Sequence, residues 1–321
     1  MARTRYAPDR GLTVRMTVTM FLLGLVFVAF VALLIGIMIA VHASGAAIVL
    51  VALVFGGGGA YISLFYSDKI ALAAAGAHEV TPQEAPELHG IVDRLCALAD
   101  MQKPRVAIAP TAMPNAFATG RNSEHAVLCV TEGLLSPRLG LTNEELEGVL
   151  AHELSHVAHK DVQVMTYASL LAIVAGLLVR FAFYSELFGG GRRSNNQSAL
   201  PIILVIMVVS AVVYAISFLL IRLLSRYREL AADRSGALLT GQPSALMSAL
   251  TKVSGAMSRI PTQDLRSAEP LNAFYFAPAM KLNGEGRQSL AGVFSTHPSL
   301  EKRLEELAKI QRQLGQTTPP Q

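Results

Sequence analysis

The sequence predicts an α+β membrane protein that is mainly helical, with four transmembrane helices in two hairpins and a small β-sheet in the part outside the bilayer. Three observations lead there. Of 321 residues, 52% are hydrophobic and only 16% are charged, a balance too apolar for an ordinary soluble domain. Four long apolar runs come in two closely spaced pairs, each near the roughly twenty residues that cross a bilayer. After each pair lies a polar stretch, residues 67–164 and 225–321, and the first of these contains short β-prone runs.

The first apolar run, Met16 to Val41, contains no charged side chain. Arg3, Arg5, Arg10 and Arg15 precede it, as in a secretory signal, but the run exceeds the roughly 7–15 apolar residues of such signals, so a retained helix is expected. A turn at His42 to Gly45 leads to a second run ending at Phe65, whose Gly56–Gly59 cluster permits close helix packing. Residues 1–66 therefore read as one transmembrane hairpin. Residues 165–224 read as another, with spans at Met165–Tyr184 and Leu200–Leu224 joined by the glycine-rich loop Gly189–Asn196. The two polar pieces, 67–164 and 225–321, are expected to form one domain that the second hairpin interrupts. The four arginines before the first span, with no Lys or Arg in the first turn, place the N-terminus and both halves of that domain in the cytoplasm. Arg192 and Arg193 in the second outer loop run against this rule.

Within the polar pieces, Pro86 to Asp100 has apolar residues at helical spacing, Leu88, Ile91, Val92, Leu95 and Leu98. Arg105–Ala109 and His125–Val130 read as short strands. The last helix is expected to start with Pro298 in its first turn, to carry Leu300, Leu304, Leu307, Ile310 and Leu314 on one face, and to stop at Gly315. Cys96 and Cys129 form neither a disulfide framework nor a metal knuckle, which suits a reducing compartment. The net charge of +4 is scattered, with no stripe that would track nucleic-acid phosphates, so the basic residues point to an anionic lipid surface instead.

Thr142-Asn143-Glu144-Glu145 has the form of a capping box, and a helix should begin there. Inside it stands His152-Glu153-Leu154-Ser155-His156. The i, i+4 spacing puts both imidazoles on one face, about 6 Å of rise apart, where they can hold one zinc ion. Glu153 then lies beside the ion, placed to take a proton from water made acidic there and to pass it to a leaving amine. A catalytic site needs a third ligand. His159 is too far along the helix to join His156 on one tetrahedral ion, whereas Glu229 emerges just past the fourth span, at a height similar to that of His156 before the third. Asp233, one turn on, could accept the ring N–H of a ligand histidine and fix its tautomer. Glu144, Glu145 and Glu147 before the motif and His159, Lys160 and Asp161 after it place the site outside the hydrocarbon, against an intramembrane protease. The alternative is a non-catalytic membrane scaffold in which zinc staples two helices; a structural zinc usually closes its fourth position with Cys or His, Cys129 has no partner motif, and Glu153 between the histidines fits catalysis better.

With these residues in place the chain resembles the HtpX-like membrane zinc metalloproteases, relatives of the CAAX prenyl proteases. The resemblance rests on the His152–His156 motif between two hairpins, Glu229 to Asp233 after the fourth span, Pro114-Asn115-Ala116-Phe117-Ala118-Thr119-Gly120 before a strand, and Thr296-His297-Pro298 before the last helix. It implies a zincin-like domain, one zinc per chain, a bacterial inner-membrane location and a role in stress-linked quality control. The substrates it implies are misfolded or surplus membrane proteins. It also implies that Asn115, Ala116 and Phe117 lie beside the substrate cleft, where a peptide could add as a strand, and that His297 stabilises an oxyanion. Processing of prenylated C-terminal peptides stands as the alternative substrate class.

Overall fold

The structure is a computed structural model that describes residues 10–40, 61, 65–169, 172, 175–176, 199–259 and 297–317. Two compact units divide the chain. One comprises Met1–Thr13, Phe65–Gln163 and Ser225–Gln321, and the other Val14–Leu64 and Val164–Leu224.

In the second unit the main described elements are most of α1 (Arg10–Ala40) and the first part of α6 (Ala199–Thr240). Its small core gathers Leu23, Phe30, Ala168, Ala175 and Leu224. Phe21, Val28, Val208 and Val212 remain more than half exposed to the surroundings. Helices apolar on their outer faces as well as their inner ones suit a lipid environment, because water would oppose such exposure. Arg10–Phe30 and Leu204–Thr240 are long and apolar enough to cross a membrane. The expected second span and most of the third lie outside the described residues. The first helix begins earlier than its apolar run, at Arg10, since Arg10 to Arg15 are compatible with helix once the apolar segment has nucleated it.

The first unit is built on a four-stranded mixed sheet of order β1-β2-β4-β3. Its strands are β1 (His78–Glu79), β2 (Arg105–Ala109), β3 (Ala116–Thr119) and β4 (Val127–Thr131). β2 and β4 run parallel, while β1 and β3 pair antiparallel to β2 and β4 respectively. The central strand β4 is buried along its whole length because both faces are covered, and it accordingly reads Val-Leu-Cys-Val-Thr without alternation. On one face Val106, Leu128 and Val130 join Leu95 of α3 (Pro86–Ala99) and Val149 and Leu154 of α5 (Asn143–Ala158) in the main core. On the other, Ala107, Val127 and Cys129 pack with Ala71 of α2 (Ser67–Ala75). Both cysteines are free and buried, and burial pushes the Cys96 thiol up to about 11 and the Cys129 thiol up to about 12.

Several expectations need correction at this level. The strand expected at His125–Val130 is Val127–Thr131, because Asn122 caps a short 3₁₀ turn at Ser123–His125 and holds that residue out of the sheet. Neither β1, β3 nor α2 was readable, since each is short and lacks a clear period. The last helix, α8 (Leu300–Thr317), runs past Gly315, and Pro298 precedes it. A short helix, α4 (Glu132–Leu135), follows β4. α7 (Pro243–Met257) packs on α5, where a Cβ added at Gly148 of α5 would lie 3.3 Å from Leu246, and both contribute to the main core together with Leu307 and Ile310 of α8.

Candidate metal centre

α5 starts as its sequence dictates. The Thr142 hydroxyl accepts from the Glu145 N–H at 3.3 Å, and Glu145 accepts from the Thr142 N–H at 2.8 Å. Glu145 also accepts from Lys252 and Ser248 of α7; burial opposes its ionisation, but these donors win and its carboxyl lies below the usual range. The helix start is thereby tied to the core that fixes the direction of α5.

Two turns further on, His152 and His156 present their Nε2 atoms to one point, 3.2 Å apart. Glu229, on the continuation of α6 beyond its apolar part, approaches both: its carboxylate oxygens lie 3.8 Å from His152 Nε2 and 3.5 Å from His156 Nε2. The three ligand atoms lie within 4.8 Å of one another. Each imidazole is held from behind. Asp233 Oδ1 lies 2.9 Å from His152 Nδ1, and Asp161 Oδ2 lies 2.5 Å from His156 Nδ1. A carboxylate oxygen beside each Nδ1 favours the proton there, which leaves the two Nε2 atoms with lone pairs that face each other. Burial favours this neutral form, lowering the pKa of His152 and taking that of His156 down to about 4.

The donor set fits a divalent metal on two counts. Two facing lone pairs repel unless a cation lies between them, and tetrahedral zinc with Zn–N near 2.0–2.1 Å would hold its nitrogens ~3.3 Å apart. Charge balance points the same way. Among the described residues, the buried carboxyls of the cluster are Glu153, Asp161, Glu229 and Asp233, and the buried guanidiniums are Arg228 and Arg303. Four potential anions against two cations leave room for a doubly charged ion, and burying that excess without one is costly.

Glu153 stands next to the pair. Burial first, then the nearby Glu229, raises its pKa well above the ordinary carboxylate value, while the Ala118 N–H, donating to Oε2 at 3.0 Å, works the other way. Burial opposes ionisation of Glu229 too, but His297 works against it through charge and a hydrogen bond, and that carboxyl lies well below its usual range. His297 Nδ1 lies 3.1 Å from Glu229 Oε2. His159 is half-buried at the C-terminal end of α5, where burial, then the nearby His156 and Arg228, lower its pKa.

The three residues of the Asn115-Ala116-Phe117 segment do not stand alike. The Asn115 N–H donates to Thr131 Oγ1 at 2.8 Å and its carbonyl accepts from the Thr131 N–H at 3.0 Å, so the backbone of Asn115 is occupied. By the alternation of an antiparallel pair, Phe117 likewise faces β4, while Ala116 and Ala118 turn their backbone groups to the other edge of β3, where Ala116 is fully buried and the Ala118 N–H is given to Glu153. A small recess adjoins the end of β3, lined by Ala118, Gly120, Arg121, His156 and Val157 among others.

Three residues at the centre were not anticipated. Arg303 of α8 is fully buried and grips Asp233 with two hydrogen bonds, Nε to Oδ2 at 2.7 Å and Nη2 to Oδ1 at 2.6 Å. A signal for it existed, since Arg303 falls on the apolar stripe between Leu300 and Leu307, where a cation implies a buried partner. Asp161 reaches His156 from five residues on, a spacing with no helical meaning. Gly236 shares the face of Glu229 and Asp233, seven and three residues on, and a Cβ there would lie 2.9 Å from His152 N and 3.1 Å from its Cα. Only glycine lets the two helices approach this closely. Gly236→Ala would gain about 1 kcal/mol of helix propensity but incur about 1–3 kcal/mol of overpacking against unyielding backbone. The expected result is a lower melting temperature and weaker metal binding, measured with zinc beside Gly255→Ala, where nothing lies within 4 Å of an added Cβ and stability should hold or rise. Unchanged zinc affinity in Gly236→Ala would show that the helix approach is not critical.

Comparison with known proteins follows the same line. The model of peptidase family M48 matches residues 82–311. The chain is 58% identical over 319 residues to Protease HtpX homolog 1 of Streptomyces coelicolor, covering 99% of each. It is 49% identical over 313 residues to the Protease HtpX homolog of Moorella thermoacetica, covering 97% of this chain and 98% of the relative. The HtpX homolog of Pyrococcus furiosus is 42% identical over 258 residues, 79% of this chain and 84% of its own. Among solved structures, S. mikatae Ste24p aligns at a TM-score of 0.47 with 17% identity, over 93% of this chain and 66% of that one. The chain belongs to peptidase family M48, in company with the HtpX proteases.

Proposed function

We propose that this peptidase is a zinc-dependent endopeptidase of the membrane in which His152, His156 and Glu229 are the metal ligands and Glu153 carries the proton. The observation that supports it most is the convergence of two neutral imidazoles and one carboxylate inside a buried cluster with an excess of carboxyls. When bound there, zinc supplies Lewis acidity, which polarises a peptide carbonyl and makes water a stronger acid.

The chain's own residues account for the rest. Glu153, with its raised affinity for a proton, receives one from the attacking water and delivers it to the leaving nitrogen. The Ala118 N–H orients that carboxylate from the sheet edge. Asp233, held by Arg303, keeps His152 in the tautomer that offers Nε2. His297 sits against Glu229, so we read it as positioning that carboxylate; an oxyanion role would need its Nε2 to face the substrate. A peptide strand adding along β3 would need Ala116, fully buried here, to be uncovered, and would pair with it and with the Ala118 carbonyl, since the Ala118 N–H is given to Glu153; we read Asn115, Ala116 and Phe117 as one wall of the cleft.

Recognition through backbone hydrogen bonds is indifferent to side chains and demands an extended chain, which suits misfolded or surplus membrane proteins. We read the remaining architecture as four transmembrane helices in two hairpins, residues 1–66 and 165–224. They carry a zincin-like domain of residues 67–164 and 225–321 on the cytoplasmic face of the inner membrane. The division of the chain into a unit of polar segments and a unit of apolar ones supports this reading, and so do the arginines before the first span.

The test is incubation of the detergent-purified protein with an unfolded protein. Cleavage should stop with chelator and return with added zinc, and chelator-insensitive cleavage would overturn the reading. A prenylated C-terminal peptide serves as the second substrate; cleavage of that peptide alone would reassign the substrate class.

A further inference from the structure

His152 and His156 are supported by two similar arms. The Asp233–Arg303 arm reaches His152 from α6 and α8. The other arm is Asp161 with Arg228: Asp161 Oδ2 lies 2.5 Å from His156 Nδ1, and Arg228 Nη2 lies 2.6 Å from the same oxygen. Both residues are buried, Asp161 at 3% exposure and Arg228 at 7%.

The backbone is shaped for this contact. On a continuous helix a residue five positions on is rotated about 140° from its starting point and faces away. Lys160, with φ 56°, adopts the left-handed conformation that non-glycine residues rarely take, and α5 breaks off there before helix resumes at Asp161. Asp161 is thereby returned to the His156 side. Arg228 immediately precedes Glu229 on α6, so its bond to Asp161 joins the segment holding one candidate ligand to the helix holding another without any metal. In sequence, Asp161 lies three residues before Val164 and Arg228 four residues after Leu224, the bounds of the second unit's later segment.

We propose that Asp161 and Arg228 are positioning residues for the metal: Asp161 aims His156 Nε2 at Glu229, and Arg228 fixes Asp161, so that the spacing of the two ligands is set before metal arrives. This rests on the reading of His152, His156 and Glu229 as the ligand set.

The test uses the full chain in detergent and compares wild type with Asp161→Asn, Asp161→Ala, Arg228→Gln, Arg228→Lys and the Asp161→Asn/Arg228→Gln double variant. Zinc dissociation constants are measured by competition with a chromophoric chelator, and the visible spectrum of the cobalt-substituted protein reports ligand geometry. Asp161→Ala should weaken zinc binding by about 10–100-fold, with a smaller loss for Asp161→Asn, which keeps an acceptor. The double variant should be no worse than its poorer parent, because the residues act as one unit. Cobalt spectra should shift in every variant. If only the melting temperature of the metal-free protein falls, while zinc affinity and cobalt spectrum match wild type, the pair is a staple between segments and the proposal is wrong. Should Asp161→Ala fail to fold, Arg228→Lys, which keeps the charge but not the planar fork, decides by the same two measurements. Wild type that binds no zinc would remove the ligand set and this inference together. Wild type that binds while His156→Ala does not, with Asp161 variants equal to wild type, would remove this inference alone.

Discussion

Glu153→Gln is expected to lower cleavage of an unfolded protein by about 10²–10⁴-fold while leaving bound zinc at the wild-type level. The substitution preserves shape and keeps an oxygen for the Ala118 N–H, which donates to Glu153 at 3.0 Å. What it removes is the ability to take and return a proton. Burial and the neighbouring Glu229 raise the proton affinity of this carboxyl. Gln is also neutral, so it adds no repulsion to the cluster and should not lower stability. Cleavage assays run beside metal analysis separate the outcomes, and proteolysis equal to wild type would reject Glu153 as the proton carrier.

Glu229→Ala is expected to empty the site. Removal of a partner behind a ligand histidine already costs about 10–100-fold in metal affinity, so removal of a ligand should cost more than about 100-fold. The loss has a second part. His297 Nδ1 at 3.1 Å and Arg303 Nη1 at 4.0 Å would lose the carboxylate they face, which leaves buried polar groups poorly compensated. Glu229→Gln isolates the charge from the packing and should bind metal weakly with a melting temperature nearer wild type. Metal content after dialysis, measured with circular dichroism to establish folding, checks this. Full occupancy in Glu229→Ala would strike Glu229 from the ligand set.

Much of this arrangement was legible because it is local. A capping box, two histidines four residues apart and a glutamate between them are all features of one helix, and a helix is specified by residues within a turn or two of one another. The first and last apolar runs, which fall in α1 and α6, were legible for a similar reason, since each meets the length criterion within itself. Glu229 was reachable by a geometric argument about where α6 leaves its apolar part. The sheet was harder. β1 and β3 are two and four residues long, and a strand that short is defined by the neighbour it pairs with. Asp161 was missed because the left-handed turn at Lys160 has no marker in a residue type that usually avoids it. Arg303 was missed although its place on an apolar face announced a buried partner.

Composition and helical period sufficed to state that this chain is largely apolar helix and that one polar helix displays two imidazoles on a common face, because both properties follow from contacts within a few residues. They could not say what stands behind each imidazole. Asp233, Arg303, Asp161 and Arg228 reach the centre from three separate segments, and their value lies in distances near 2.5–2.9 Å that exist once the segments pack. Nor could they show that Gly236 admits α5 against α6. Charge burial is a property of the assembled interior: the same carboxylates in water would be unremarkable, and it is their shared removal from solvent that makes a place for a cation.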